Sequence, residues 1–459
     1  MKKTGVIFDI GKTHKKCFLF DERYQLVRKT YKIFAETKDE DGHPADDLDA
    51  IVKWIKTIYH KLINDKKYPI SSINFSTYGA TLVHLDACGK VLTPLYNYTK
   101  PFPPALQAAF HKKYGNELKI AQATGSPPAG MLSAGFQLYW LKKTQPAIFK
   151  KIKWSLHFPQ YLSYLFTGIP LSEFTSIGCH TSLWDYGKND YHDWVYAEKI
   201  DEKLPPIVPA TTSINLGRVN EKLIIGIGIH DSSAALLPYI RADRHPFLLV
   251  STGTWSVSLN PFSEEILSDD DIKKGCLNYM RIDGRPVKAT RIFFGKEYQV
   301  QIEKMCAYFK KGKNAHKKML FDKRTFQQLN NQFKSKFCFE YLGEIREQPD
   351  KTDYSAFKSF KAGYHQLMME LMILQKESMK LAIGKTVVKK IYIDGGFADN
   401  DVFIKLLGFH FPDVKIRSTQ SPIGSALGAA MVINDEEVSK KFLKNNYAMK
   451  KHKPELIDL

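Results

Sequence analysis

One pattern, met twice along the chain, narrows the folds open to it. A short apolar run, Val6–Asp9, stops at Gly11-Lys12-Thr13, resumes as Cys17-Phe18-Leu19-Phe20, and is followed by a third run around Leu26–Tyr31. About 240 residues later the same order returns. Leu248–Ser251 stops at Thr252-Gly253-Thr254, Ser256–Leu259 follows, and a third run comes around Cys276–Tyr279. Short β-branched and aromatic runs bounded by turn residues read as buried strands, so each half opens with a β-meander around a donor-rich turn. With 459 residues, the chain is long enough for two such domains. There is no short tandem repeat. The arrangement is that of an α/β protein with two duplicated domains facing a shared cleft.

The segments between fill in the helices. Ile51, Trp54, Ile55, Ile58, Tyr59 and Leu62 recur at helical spacing. Residues 37–47 read as a polar, acidic loop, and Ile73–Ser76 as a strand ending at Thr77-Tyr78-Gly79. Thr81–Asp86 alternates towards a hairpin turn at Ala87-Cys88-Gly89. The Pro- and aromatic-rich stretch 94–104 reads either as a rigid loop at a pocket mouth or as a plain surface crossover. Helices are expected over Phe136–Leu141 and Trp154–Leu165, and Leu204–Gly217 as a connection across the surface. Strand Leu223–Gly226 delivers Gly228-Ile229-His230-Asp231-Ser232, where an acidic residue opens a small-residue helix. A break is expected between about Leu237 and His245, where Pro238, Asp243 and Pro246 interrupt the pattern. A long helix runs from about Phe360 through Leu374. Strand Lys390–Asp394 ends at Gly395-Gly396 with a helix from about Asn400, and Ser425–Ala430 forms a last small-residue helix. These boundaries divide the chain into domains 1–240 and 241–436 and a basic, peripheral tail 437–459.

Composition excludes several classes. A hydrophobic content of 44% with 13% aromatics suits large cores rather than disorder. The six cysteines are scattered without a CxxC pair, so neither zinc nor a disulfide framework is indicated, and they fit reduced thiols of a cytoplasmic protein. The apolar run at the N-terminus is too short for a signal segment, and no run approaches membrane-spanning length. A net charge of +19 would suit a polyanion. Yet the lysines are spread, with local density only at Lys310–Lys318 and Lys440–Lys453. Neither cluster carries an interleaved aromatic or recognition-helix pattern, so no nucleic-acid partner is expected.

Chemistry concentrates at the turns. In Asp9-Ile10-Gly11-Lys12-Thr13-His14-Lys15-Lys16, the backbone amides and Thr13 can hold phosphate oxygens while a lysine neutralises their charge. Asp9 can hold a hydrated Mg²⁺ through water. The GxxxxGK[ST] pattern of a P-loop is absent. Asp231 could take a proton from a group attacking an anion. Asp394-Gly395-Gly396 would let a flat base lie against backbone. Each turn alone is compatible with an ordinary hairpin or strand-to-helix connection; their order along one chain is far more specific.

That order is similar to the FGGY carbohydrate kinases of the actin-like ATPase superfamily. It comprises Asp9-x-Gly11-x-Thr13, Gly228-x-His230-Asp231-Ser232, Ser251-Thr252-Gly253-Thr254-Trp255 and Gly395-Gly396-x3-Asn400, and spans about Gly5 to Ile433. Gly178–Asp185 and Leu204–Val208 resemble the family's linking segments. His-Asp-Ser, Gly-Thr-Trp-Ser and Thr77-Tyr78-Gly79 resemble most the kinases of 6-deoxy-ketohexoses. The resemblance implies two ribonuclease-H-like domains flanking a central cleft, with ATP and Mg²⁺ as cofactors, a small sugar as substrate, no membrane, and room for a homodimer. It implies Asp231 as catalytic base, with His230, Ser232, Gly79 and Thr81 at the sugar. It places Gly11, Lys12, Thr13, Lys16 and Thr254 at the phosphates, Gln299, Gly395, Gly396 and Asn400 at the nucleotide, and Asp9 at the metal. A pentulose or polyol kinase, or a nucleotide- and sugar-binding sensor without turnover, remains as an alternative. The chain departs from the family in four places. Phe397 stands where a third glycine is expected, and Ser421-Pro422-Ile423-Gly424 lacks an acidic residue. Thr81 replaces an acid, and the first phosphate turn is unusually basic.

Overall fold

The first strand, Thr4–Ile10 (β1), is buried along nearly its whole length, as a strand in mid-sheet must be. The computed structural model describes residues 4–217, 223–421, 423–434, 438–439 and 441–452. β1 pairs antiparallel with Lys15–Asp21 (β2), which pairs antiparallel with Leu26–Lys32 (β3). On its other side β1 runs parallel to Ile70–Thr77 (β4). Ser213–Asn215 (β5) closes the far edge, antiparallel to Ile224–Gly226 (β6), which runs parallel to β4. The order is β3-β2-β1-β4-β6-β5. Parallel pairing needs helical crossovers, and Leu48–Ile63 supplies one. Its N-cap Asp47 accepts from Ala50 N, and Ile51 and Ile55 are buried in the core formed with Phe8 and Phe75.

The second unit repeats this order with different residues. Phe247–Thr252 (β7) and Ser256–Asn260 (β8) form the hairpin, and Pro286–Ile292 (β9) pairs antiparallel with β8. Lys390–Gly395 (β10) runs parallel to β7, Lys415–Thr419 (β11) parallel to β10, and Lys450–His452 (β12) closes the edge antiparallel to β11. Within this seven-stranded sheet, the order β9-β8-β7-β10-β11-β12 matches the six-strand order of the first unit. The helix Phe360–Ile383 packs its buried face, including Leu367, Leu371 and Leu374, into the core of this unit.

The units are not cut linearly. The first comprises Met1–Ala242, Ile266–Val287 and Ile423–Lys440; the second comprises Asp243–Glu265, Lys288–Pro422 and Lys441–Leu459. In the first unit the helix Gly424–Val432 lies on Asp231–Ala242 so closely that a Cβ at Gly428 would fall 1.7 Å from Ala234 O. Small residues on both helices permit this approach. Asn74, fully buried on β4, donates to Ala429 O at 2.8 Å and accepts from Gly228 N at 3.0 Å.

Several local expectations change. Trp154–His157 is a strand paired with Leu82–Leu85, and the helix starts only at Phe158, because Pro159 fits a helix's first turn and not its interior. The acidic loop 37–47 contains strands Thr37–Lys38 and Pro44–Asp46, the latter paired with Leu95–Tyr96. Pro238 lies inside the helix Asp231–Ala242 and does not end it. The third strand of the second meander is β9; Leu277–Met280 is a strand too, but it belongs to a segment of the first unit. The tail is not peripheral. Phe442, Leu443 and Tyr447 of the helix Phe442–Tyr447 are buried, Tyr447 O accepts from Thr419 Oγ1, and β12 extends the sheet. Residues 437, 440 and 453–459 of that tail, and Pro422, lie outside the described residues. Among the described residues no helix is long and apolar enough to cross a membrane, and none of the six cysteines is in a disulfide.

Candidate active site

In the first unit, β1 and β2 set Asp9 opposite Lys16 in register. The Lys16 Nζ lies 3.6 Å from Asp9 Oδ2, and Ser425 Oγ donates to Asp9 Oδ1 at 2.9 Å. Burial raises the Asp9 carboxyl, Lys16 and Ser425 pull it back, and Asp231 raises it again, which puts the two carboxylates within electrostatic reach. The turn between the strands closes through Gly11 N to His14 O at 3.0 Å and leaves Thr13 exposed.

The basic turn resolves into two different uses. Lys12, expected at the phosphates, donates to Asp46 Oδ2 at 2.6 Å and lies 3.3 Å from Glu36. Lys15, 1% exposed, donates to Asp46 Oδ1 at 2.9 Å and to Lys12 O at 2.8 Å. Tyr78 OH donates to the same carboxylate at 2.6 Å. Only Lys16 leans towards Asp9.

Strand β6 breaks at Gly228, whose φ of +86° and position 2.5 Å (virtual Cβ) from Pro159 O both require glycine. Pairing resumes at Ile229–His230, parallel to β4, and the helix Asp231–Ala242 begins at once. Asp231 therefore sits in the first turn, where the helix dipole favours its charge. Its side chain is a third exposed. Burial still pushes it up to about 6, against hydrogen bonds from Ser232. Ser232 N donates to His230 Nδ1 at 3.1 Å, so His230 carries its proton on Nε2. That nitrogen is buried with no partner among the described residues, and burial brings the ring down to about 3, so it is neutral. Gly79 lies against it: a Cβ there would be 2.5 Å from Nε2. Thr81 is buried, at 2% exposure.

Sequence reasoning missed the rest of this wall. His180 and Tyr279 stand with their rings 6.2 and 5.8 Å from that of His230. Tyr98, from the 94–104 segment, feels the charge of Asp231 and has Lys12 over its ring, so that segment borders the site. In sequence His180 shows only as the histidine of a Gly-Cys-His-Thr run; its left-handed φ of +39° appears only in the fold. Cys179, His180 and His230 bring one ligand atom each within 4.8 Å of one another. With Nδ1 of His230 occupied and Nε2 protonated, this set does not fit a metal ion.

In the second unit the Thr252-Gly253-Thr254 turn closes through Gly253 N to Trp255 O at 2.8 Å and leaves Thr254 exposed. The helix Phe294–Tyr308 starts against it. Lys296 N donates to Thr254 O, and a Cβ at Gly295 would fall 1.9 Å from Gly253 O, which marks Gly295 as a further residue of the turn. Gly395, at φ +90°, packs on Thr252 O, and Gly396 N donates to that oxygen at 2.7 Å. Gly396 is exposed, whereas the Phe397 ring is buried against Phe294, Tyr298 and Phe403. The departure at Phe397 is thus absorbed by the core. Asn400 caps the helix Asp401–His410 through Phe403 N and donates to Tyr364 OH, which engages both ends of its amide. Gln299 is exposed and donates to Glu303 one turn on.

Two units, each a sheet of the same strand order with a donor-rich turn between its first two strands, define the actin-like ATPase fold. The carbohydrate kinase of Novosphingobium aromaticivorans shares it over 99% of this chain and 97% of its own, with a TM-score of 0.77 at 20% identity. The xylulose kinase of Rhodospirillum rubrum does so over 99% and 94%, with a TM-score of 0.81 at 13% identity. The chain belongs to the FGGY family of carbohydrate kinases, whose N-terminal domain matches residues 5–236 and whose C-terminal domain matches residues 244–441. It is also 26% identical over 234 residues to the rhamnulokinase of Halalkalibacterium halodurans, an alignment covering 48% of each protein. The chain therefore matches about half the length of that curated relative.

Proposed function

We propose that this chain transfers the terminal phosphoryl group of ATP to a hydroxyl of a keto-sugar, with Asp231 as the general base. The observation that carries the reading is the carboxylate of Asp231, held at a helix start, partly accessible, and pushed up to about 6. A base with its pKa near the working pH is efficient, because it is deprotonated at rest yet basic enough to accept the proton. As the sugar oxygen attacks phosphorus, its proton passes to Asp231. His230 Nε2–H, buried without a partner, gives a neutral donor for a second sugar hydroxyl. Lys16 neutralises charge on the incoming phosphate, and the amides of residues 12–14 hold its oxygens. Exposed Thr254 and the exposed backbone face of Gly396 meet the nucleotide, since Asn400 is engaged with Phe403 N and Tyr364 OH and Gln299 with Glu303. Asp9 offers a buried carboxylate, with Ser425 on Oδ1 and Lys16 3.6 Å from Oδ2, that would hold a hydrated Mg²⁺ through water; the ion would offset phosphate charge.

The likeness to a rhamnulokinase and the His-Asp-Ser sequence favour a 6-deoxyhexulose as acceptor, with a pentulose or polyol as the second reading because a xylulose kinase shares the fold. ATP consumption measured with a panel of ketoses and polyols tests this. A deoxyhexulose is expected to turn over at least about tenfold faster than any other acceptor, a difference of about 1.4 kcal/mol, and to depend on added Mg²⁺. Turnover with none of the sugars would overturn the reading in favour of a sensor. Gly79→Ala tests the His230 contact: the new Cβ displaces the ring, and the sugar KM is expected to rise about tenfold or more, with the KM for ATP unchanged.

A further inference from the structure

Behind Asp231 lies a buried carboxylate that the proposed chemistry does not use. Glu173 is fully buried at the start of the single-turn helix Phe174–Ile177. It accepts from Thr175 N at 2.7 Å, Ser176 N at 2.8 Å and Thr175 Oγ1 at 2.8 Å. Gln160 Nε2 lies 3.4 Å from it and donates to Gly228 O at 3.1 Å. Thr175 Oγ1 in turn accepts from His230 N at 3.0 Å. A four-residue helix needs no carboxyl cap: serine or asparagine would satisfy its amides without burying an acid. What the carboxylate adds is direction. Its Oε1 accepts the Thr175 hydroxyl proton, which leaves a lone pair of that hydroxyl facing the His230 amide.

We infer that Glu173 and Thr175 form a positioning relay for the catalytic base, fixing the His230 amide and, through Gln160, the Gly228 carbonyl, so that the turn presents Asp231 in one orientation. Gly228 cannot relax away, because it already sits against Pro159 O. The relay is needed because the strand has broken at Gly228, and the two residues before Asp231 keep only a short ladder with β4. The inference rests on the assignment of Asp231 as base.

The test compares Thr175→Val, which keeps the shape and removes the hydroxyl, with Thr175→Ser, which keeps the hydroxyl. Thr175→Val is expected to lower kcat about 10–100-fold while the KM values for sugar and ATP stay within about twofold, since a shift of about 1 Å at a reacting group costs that much. Thr175→Ser is expected to restore kcat to within about threefold of wild type. Amide hydrogen exchange of peptides covering 226–236 provides a readout that needs no turnover. The His230 amide is expected to exchange about fivefold to tenfold faster in Thr175→Val and at the wild-type rate in Thr175→Ser. Unchanged exchange at His230, or a serine variant as impaired as the valine one, overturns the relay. If wild type turns over no sugar while the exchange pattern holds, the kinase reading fails and the relay stands as the device that orders this turn.

Discussion

Asp231→Asn is expected to lower kcat about 10²–10⁴-fold, the range that a positioned general base supplies, and to leave nucleotide affinity within about twofold of wild type. Asparagine keeps the volume and can still accept from Ser232, so the loss isolates the proton transfer from the architecture. The pH dependence gives a second, independent check. Because burial pushes Asp231 up to about 6, the group is protonated and idle below that pH, and kcat/KM for the wild type rises through about pH 6. The asparagine variant lacks this limb. Stability moves the opposite way. The unfolded carboxyl ionises at its ordinary value and the folded one near 6, so the native state binds the extra proton between these values. Native stability therefore falls as pH rises through that window and stays lower above it. The variant is expected to melt at a higher temperature than wild type at pH 8, with the advantage shrinking as pH falls from about 6 to about 4. Equal activity of the two proteins, or an acid limb retained in the variant, would remove Asp231 from the base position and bring the sensor reading forward.

The duplicated strand order was legible because buried strands have a local signature: Val6–Asp9, Leu248–Ser251 and Lys390–Asp394 are apolar runs ended by Gly/Ser/Thr turns, and all three fall in the predicted sheets. Asp231, His230 and the Gly79 wall were legible because they share one short motif each. What stayed hidden depends on distant pairing. β5, β11 and β12 are short polar strands (Ser213–Asn215, Lys415–Thr419, Lys450–His452) whose pattern says nothing until a neighbour exists. Trp154–His157 carries a helix-compatible pattern and becomes a strand only because Leu82–Leu85 lies beside it. The uses of Lys12, Lys15 and Lys16 could not be told apart either, since the carboxylate that separates them, Asp46, lies some thirty residues away. Glu173 is unremarkable in sequence, a lone acid in Leu-Ser-Glu-Phe-Thr, and gains meaning only when Thr175 is seen to touch the amide before Asp231.

Asp46 carries the largest expected effect on stability. Its carboxylate, 6% exposed, receives Lys15 at 2.9 Å, Lys12 at 2.6 Å and Tyr78 OH at 2.6 Å, and Lys15 has no access to water. Burial alone would raise this carboxyl, but the hydrogen bonds from Lys12, Tyr78 and Lys15 prevail and hold it below the usual carboxylate range. Removing the acid leaves a buried ammonium without its counter-charge, so Asp46→Ala is expected to destabilise the first unit by about 3–5 kcal/mol. Urea or thermal melts at pH 7 read this directly. The wild-type contribution is present above about pH 4, where the unfolded carboxyl is ionised, and is lost as pH falls through the depressed folded value, so the gap between the two proteins closes in acid. The pair Asp46→Leu with Lys15→Met separates charge from packing: it removes both buried charges at similar volume and is expected to recover most of the lost stability. Activity should not recover with it. Lys15 also donates to Lys12 O, and Tyr78 immediately precedes Gly79, so Asp46 ties the 11–14 turn to the wall against His230. The double variant is therefore expected to fold like wild type yet show raised KM values for both ATP and sugar, by about tenfold each, since a loosened turn and wall no longer hold their donors in place. A double variant with wild-type kinetics would confine Asp46 to folding alone.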